Sequence, residues 1–167
     1  SYPLPKLDQR IEALGGDNAW FSCLDMRSSY HQVAMDEEDA EKTAFICHRG
    51  SFLYNTMPMG LRNSGATFQR LMDMVMAGLT FEVCLVYLDD IVVFSKTLEE
   101  HLQRLEMVLQ RLVDTGLKLK PSKCRMLQRR IVFLGHVVTE EGVSTDPAKT
   151  EQISKWPRPS SFREVRG

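Results

Sequence analysis

The chain is short of the residues that staple or anchor a protein. Its 167 residues include 4 cysteines, and Cys23, Cys47, Cys84 and Cys124 stand far apart, with no Cys-x-x-Cys pair and no Cys/His grouping at zinc-ligand spacing. They read as reduced, mostly buried thiols, so neither a disulfide framework nor a structural zinc is expected. No apolar run approaches the roughly 20 residues a helix needs to cross a bilayer, and no basic segment followed by an apolar one opens the chain. These absences predict an intracellular protein that does not engage a membrane.

Net charge is also nearly missing. Lys and Arg number 21 against 22 Asp and Glu, for a formal net charge of -1, which speaks against a basic face spread over the whole molecule. The charges are nevertheless segregated. No acid occurs between Thr115 and Thr139, where Lys118, Lys120, Lys123, Arg125, Arg129 and Arg130 lie, while Asp36, Glu37, Glu38, Asp39 and Glu41 crowd one short stretch. With 43% hydrophobic and 26% charged residues the composition is that of a globular chain able to bury a core. The absence of Met at position 1 and the charged stretch at 162–167 suggest a piece of a longer polypeptide.

Apolar periodicity outlines the elements. Leu7, Ile11 and Leu14 share helical spacing, and Gly15-Gly16 stops that helix. Trp20 to Leu24 predicts a short strand ending at Asp25. Residues 43–46 and 51–54 flank His48-Arg49-Gly50 and predict a hairpin. Met57-Pro58-Met59-Gly60 is too broken for a regular element. From Ser64, the residues Phe68, Leu71, Met72, Val75, Met76 and Leu79 form one face of a helix. Residues 83–88 and 91–94 predict a hairpin with Asp89-Asp90 as its two-residue turn. Thr97 and Glu100 form a capping box, followed by a stripe of Leu98, Leu102, Leu105, Leu109 and Leu112 that ends at Gly116. Residues 131–134 and 137–138 predict two further strands about Gly135-His136, and the stretch beyond Gly142, through Trp156-Pro157-Arg158-Pro159, reads as a linker. Strands and helices do not alternate regularly, so the expected class is α+β, an antiparallel sheet backed by helices.

The chemistry is concentrated in the adjacent acids. Two carboxylates about 4 Å apart repel by roughly 4 kcal/mol at an effective dielectric of about 20, a cost that a divalent cation reverses. Asp25 also ends an apolar strand. If its strand neighbours the Asp89-Asp90 hairpin, three carboxylates meet at one sheet edge. Such a set suits Mg²⁺, which takes a few carboxylates and completes its shell with water and phosphate oxygens. The residues alone point to metal-dependent phosphoryl or nucleotidyl chemistry and leave making and cleaving a phosphodiester equally open.

Tyr87-Leu88-Asp89-Asp90 resembles the Tyr-x-Asp-Asp signature of reverse transcriptases. Phe21-Ser22-Cys23-Leu24-Asp25-Met26-Arg27-Ser28-Ser29-Tyr30-His31-Gln32 resembles their first catalytic motif in its gypsy-type retrotransposon form. Tyr2-Pro3-Leu4-Pro5, Thr43-Ala44-Phe45, the Met57 to Asn63 run, the Gly116 to Pro121 run and Phe133-Leu134-Gly135-His136 fall in the family's order, so the resemblance covers nearly the whole chain.

The resemblance implies a right-hand polymerase palm at 1–33 and 63–138, partial fingers at 34–62 and a connection toward the thumb at 139–167. Asp25, Asp89 and Asp90 would be the catalytic carboxylates, and these with the carbonyl of Met26 would hold two ions, Mg²⁺ or alternatively Mn²⁺. Arg27, Ser28, Ser29, Tyr30, Met59, Gly60 and Leu88 would border the incoming dNTP, and Leu134, Gly135 and His136 would hold the primer. Lys123 is a candidate general acid for the pyrophosphate. The partners implied are an RNA or DNA template with its primer, and the upstream fingers, thumb and RNase H parts of the same Pol polyprotein, in cytoplasmic element particles. Met59 stands where gypsy-type elements commonly carry Phe. The rival readings are a domesticated palm that binds nucleic acid without turnover and a metal-dependent nuclease.

Overall fold

Residues 7–147 and residue 151 are described by the computed structural model. The Tyr2 to Pro5 motif and the Trp156 to Pro159 stretch lie outside them. In chain order the elements are α1 (Leu7–Leu14), β1 (Trp20–Asp25), α2 (Glu37–Ala40), β2 (Phe45–Cys47), β3 (Gly50–Phe52), α3 (Ser64–Val75), β4 (Cys84–Tyr87), β5 (Asp90–Ser95), α4 (Leu98–Asp114), β6 (Arg125–Gln128), β7 (Arg130–Phe133), β8 (His136–Thr139) and β9 (Gly142–Thr145).

The near-continuous apolar runs become β4 and β5, an edge strand and its neighbour in a four-stranded antiparallel sheet of order β4-β5-β1-β6. Both faces of β4, β5 and β1 are covered, which is why those three strands are largely apolar, whereas the edge strand β6 is exposed. Leu24, Cys84, Val86, Ile91 and Val93 turn to one face, where they meet Phe68, Met72 and Met76 from α3 and its end, and Leu105, Val108 and Leu112 from α4. Phe21, Leu85, Val92 and Phe94 turn to the other, against Leu14 of α1 and Ile131, Phe133 and Val138 of a second sheet, β7-β8-β9. Each fully buried Phe, Leu or Met contributes about 1.5–3 kcal/mol. The β2-β3 hairpin stands apart as a two-stranded sheet pairing Phe45 with Phe52. The architecture is the α+β mixture of helices and antiparallel sheets expected.

Five details differ from the sequence reading. Tyr87 pairs with Asp90, so the turn between β4 and β5 is Leu88-Asp89 and Asp90 already belongs to β5. Leu88 takes the left-handed conformation at φ 54°. The buried face of α4 is His101, Leu105, Val108 and Leu112, while Leu98 and Leu102 are exposed. At the start of α4, Thr97 accepts from the Glu100 amide as expected, but the Glu100 carboxylate reaches the amide of Lys96 rather than that of Thr97. Finally, β6 was not foreseen, and Gly142–Thr145 is a paired strand rather than linker.

Candidate active site

Strand register builds the site. Trp20 to Asp25 pairs residue by residue with Ser95 to Asp90, which sets Asp25 opposite Asp90 at the sheet's end. Side chains alternate along a strand, so Asp25 and Asp90 share the face of Cys23 and Val92, away from the long helices. The chain leaving β1 is tied to the neighbouring turn, because the Met26 amide donates to the Asp89 carbonyl at 3.3 Å. Three aspartates from two segments thereby stand at one end of the sheet.

Asp25, Asp89, Met26, Arg27, Ser28 and Ser29 line one open cleft of about 580 Å³. Its opposite wall is Leu119, Lys120, Pro121 and Lys123, with Met59 at the rim. The wall is held by the Lys120 amide donating to the Asp25 carbonyl at 2.8 Å, and the Lys123 Nζ lies 3.3 Å from the Asp25 Oδ2. That ion pair is half exposed, so its worth to stability is small. Its significance is positional, since it sets a cation against the carboxylates. Asp25 and Asp90 also face a smaller cleft of about 110 Å³ with Lys123, Val132 and Leu134.

Electrostatics mark the cluster as strained. The Asp90 pKa is raised, first because surrounding protein strips water from its carboxyl and then through the charges of Asp89 and Asp25, with Lys123 opposing. Asp90 as a whole residue is nonetheless exposed to solvent. Among the described residues no group of three or more His, Cys, Asp or Glu is so placed that it could hold a metal ion by itself. An open pair of carboxylates in a cleft is the donor set Mg²⁺ uses when substrate phosphates and water supply the remaining ligands. The residues fit that ion.

Backbone strain occurs here too. Ser28, Leu88 and Leu134 have φ of 47°, 54° and 50°, a conformation that costs a non-glycine residue about 1–2 kcal/mol. Ser29 adds an anomaly of another kind: its hydroxyl is buried and has no hydrogen-bond partner.

Other candidates lie near the cleft without lining it. Tyr30 is half buried, its ring edge-on to Phe68 at 5.6 Å, and its pKa is raised by burial and then by the Asp89 charge. A Cβ on Gly65 would meet Leu88 Cδ2 at 3.6 Å and the Tyr30 hydroxyl at 3.9 Å, so these side chains converge on one point of α3. Gly60 sits in the exposed turn after Met59 at φ 90°. Leu134 and Gly135 form the β7-β8 turn, and His136 opens β8 with its Nδ1 buried and unpartnered.

Two residues with structural leverage on the site carried no role in the sequence reading. Gln69 is fully buried on α3, accepts the Leu88 amide at 2.7 Å and donates to Asp73 at 2.8 Å. A glutamine between Phe68 and Met72 on an apolar face was the available signal. His101 is fully buried between Ser22 at 2.7 Å and Ser95 at 3.0 Å.

Comparison with known proteins adds the following. Residues 1–138 match the family described as reverse transcriptase (RNA-dependent DNA polymerase). The chain is 42% identical over 165 residues to the retrovirus-related Pol polyprotein from transposon 297 of Drosophila melanogaster, covering 99% of this chain and 16% of the relative. It is 33% identical, with the same coverages, to that from transposon gypsy of the same organism. Its fold superimposes on a foamy viral protease-reverse transcriptase in complex with double-stranded DNA at a TM-score of 0.88 and 22% identity, covering 99% of this chain and 29% of that one. A second foamy viral structure, in complex with RNA/DNA hybrid, gives 0.80 at 23% identity, covering 93% and 21%.

Proposed function

Because the chain belongs to the reverse transcriptase (RNA-dependent DNA polymerase) family, we propose that it forms the catalytic part of an RNA-directed DNA polymerase that joins a primer 3′ hydroxyl to the α-phosphate of a deoxynucleotide. The observation carrying this is the meeting of Asp25, Asp89 and Asp90 beside a cleft whose floor is Arg27 to Ser29 and whose wall is basic. A nuclease would need the carboxylates but not the Tyr30, Met59 and Leu88 surroundings.

In this reading residues 1–33 and 63–138 are palm, 34–62 are fingers and 139–167 lead toward the thumb. The chain spans about one sixth of the relatives it matches, 16% of each. Fingers, thumb and RNase H from the rest of such a polyprotein would complete the enzyme, acting in cytoplasmic element particles.

Asp25 and Asp89, with the Met26 carbonyl, would hold two Mg²⁺ or Mn²⁺ ions, and Asp90 is the third carboxylate. When bound, such a pair activates the attacking oxygen and stabilises the leaving oxygen of an in-line displacement. The chain's own residues do the rest. The backbone of Arg27 to Ser29 receives the triphosphate, Met59, Gly60 and Leu88 border the base and primer end, and Tyr30 lies under the sugar. Leu134, Gly135 and His136 hold the primer strand. Lys123 delivers a proton to the departing pyrophosphate; its ammonium already stands on the Asp25 side of the cleft. Primer extension on RNA and DNA templates by the full-length enzyme, beside a template-primer binding titration, tests the assignment. Binding without extension by the wild type would favour the domesticated palm instead.

A further inference from the structure

Gln32 is half buried and its carboxamide joins two backbone segments distant in sequence. Its Nε2 donates to the Arg27 carbonyl at 2.6 Å and to the Lys118 carbonyl at 3.0 Å, and its Oε1 accepts the Lys118 amide at 2.7 Å. An amide offers two donors on nitrogen and acceptance on oxygen. Every one of these contacts therefore has the correct polarity, and a reversed amide would set its oxygen against two carbonyls. Lys118 thus has both backbone groups engaged by one side chain, while its carbonyl also accepts the Arg27 amide at 2.9 Å.

This arrangement extends a very short ladder. Met26 and Leu119 form an isolated antiparallel bridge next to it, too small to fix two loops by itself. The segment it secures is the wall of the cleft: Leu119 and Lys120 line it, the Lys120 amide binds the Asp25 carbonyl, and the following turn carries Lys123 to the Asp25 carboxylate. The segment it secures on the other side begins with Arg27, on the cleft floor. Gln32 adds the side-chain contacts of this junction to the backbone bonds from the Arg27 amide to Lys118 and from the Lys120 amide to Asp25.

We infer that Gln32 is a positioning residue for the incoming nucleotide, setting the width of the cleft by clamping Lys118 to the Arg27 loop. The inference rests on the polymerase reading for its ligand but not for its geometry. Gln32 touches no reacting atom; it acts through the two segments it joins.

Two substitutions separate this role from general stabilisation. Gln32→Ala removes the clamp. Gln32→Glu keeps an acceptor for the Lys118 amide but turns the donor to two carbonyls into a charged acceptor, and so forces floor and wall apart. In the full-length enzyme, Gln32→Ala should lower kcat/KM for dNTP by about 10- to 100-fold, since a misplacement near 1 Å can cost a hundredfold. Template-primer Kd should stay within about twofold, because duplex affinity comes from phosphate contacts elsewhere. Gln32→Glu should be worse than Gln32→Ala, an order that a mere loss of packing does not give.

Hydrogen exchange at the Lys118 amide, read without substrate, should quicken in Gln32→Ala while core amides of β1 and β5 do not change. Unchanged exchange at Lys118 would overturn the clamp whatever the enzyme does. Faster exchange with kcat/KM equal to an active wild type would overturn the positioning role. Should the wild type fail to extend primers, the polymerase reading falls by itself. Equilibrium dialysis of dTTP with Mg²⁺ then decides: at least tenfold weaker dTTP binding by Gln32→Ala sustains the role, and equal binding ends it.

Discussion

Asp25 stands directly across from Asp90 in the antiparallel pairing of β1 and β5. Opposed residues in such a pair have Cβ atoms about 5 Å apart and share a face, and like charges there are destabilising. Lys123 answers Asp25 from one side, yet Asp90 keeps a raised pKa through desolvation and the charges of Asp89 and Asp25. The fold therefore carries a repulsion at this edge.

The repulsion has a measurable sign. A carboxyl whose pKa rises on folding holds its proton more tightly in the fold than in the unfolded chain, so its ionised form costs stability once pH exceeds the unfolded value of about 3.8. At pH 7.5 in chelator, Asp90→Asn should raise Tm by about 1–3 °C. Added Mg²⁺ should stabilise the wild type more than the variant. Scanning calorimetry with and without Mg²⁺ reads both, and a lower Tm for the variant in chelator would contradict the repulsion.

Asp89 differs from Asp90 because it lines the cleft with Asp25. Asp89→Asn should cut primer extension at least about a hundredfold, given that metal stabilisation of a transition state is worth several kcal/mol. Template-primer binding should be largely retained. Near-wild-type extension by Asp89→Asn would remove the metal assignment.

Gln69 reaches the same turn from beneath. Its Oε1 accepts the Leu88 amide in a turn where Leu88 is left-handed, and its Nε2 is held by Asp73. Gln69→Leu fills the volume but leaves the amide without its partner, a loss of about 1–3 kcal/mol. We expect kcat to fall by about tenfold or more with little change in primer-template affinity, read by single-turnover extension. Unaltered kcat would mean that the turn keeps its shape without Gln69.

How far the sequence could be read follows from which residues signal by type. Leu24, Val86, Ile91 and Phe68 are apolar and periodic, so the central sheet, α3 and the placing of Asp25 beside the acidic hairpin were legible. The turn was misplaced by one residue, since no propensity favours leucine at positive φ; Leu88 adopts it because Gln69 secures its amide. Leu98 and Leu102 outcompeted His101 in the sequence reading of α4, because hydropathy cannot see that Ser22 and Ser95 satisfy a buried imidazole. β6 is exposed along its whole length and has no alternation to detect. Gln32 lay within a recognisable motif, but its partner Lys118 is distant in sequence and only the fold brings them together.

The His101 network predicts an acid-sensitive stability. Ser95 donates its hydroxyl proton to the Thr97 carbonyl, so it must accept from the His101 Nδ1; the Nε2 then accepts from Ser22, whose oxygen takes the Leu127 amide. Only neutral imidazole fits this chain of bonds. The His101 pKa is correspondingly lowered from 6.5, chiefly by burial, then by Arg104, with Glu100 opposing. A depressed histidine contributes stability that is complete above about 6.5 and is lost as pH falls toward the folded value. His101→Ala should cost roughly 3 kcal/mol at pH 7.5, from the cavity and the freed hydroxyls. Between pH 7.5 and 5.5 the variant should lose less stability than the wild type. Urea melts at both pH values decide, and parallel losses would mean that His101 takes up its proton as readily in the fold as in the unfolded chain, so that burial does not depress it.

Tyr30 follows Asp25 by five positions and sits at the border between core and cleft. Its ring is packed edge-on against Phe68 at 5.6 Å, and both Leu88 and its hydroxyl approach Gly65. A ring wedged in this way cannot swing aside for a larger ligand. Were the sugar of the incoming nucleotide to lie over it, a 2′ hydroxyl would collide, and the α-phosphate would shift away from the carboxylates. A shift near 1 Å can cost about a hundredfold in rate. Selection for deoxynucleotides would then arise from an obstacle rather than from an added attraction. In the full-length enzyme Tyr30→Ala should raise kcat/KM for ribonucleotides relative to deoxynucleotides by about tenfold or more, with a smaller loss for the latter. The ratio of the two kcat/KM values in wild type and variant is the measurement. If the ratio stays fixed while Tm falls, Tyr30 serves the Phe68 core alone, and the sugar must lie elsewhere in the cleft.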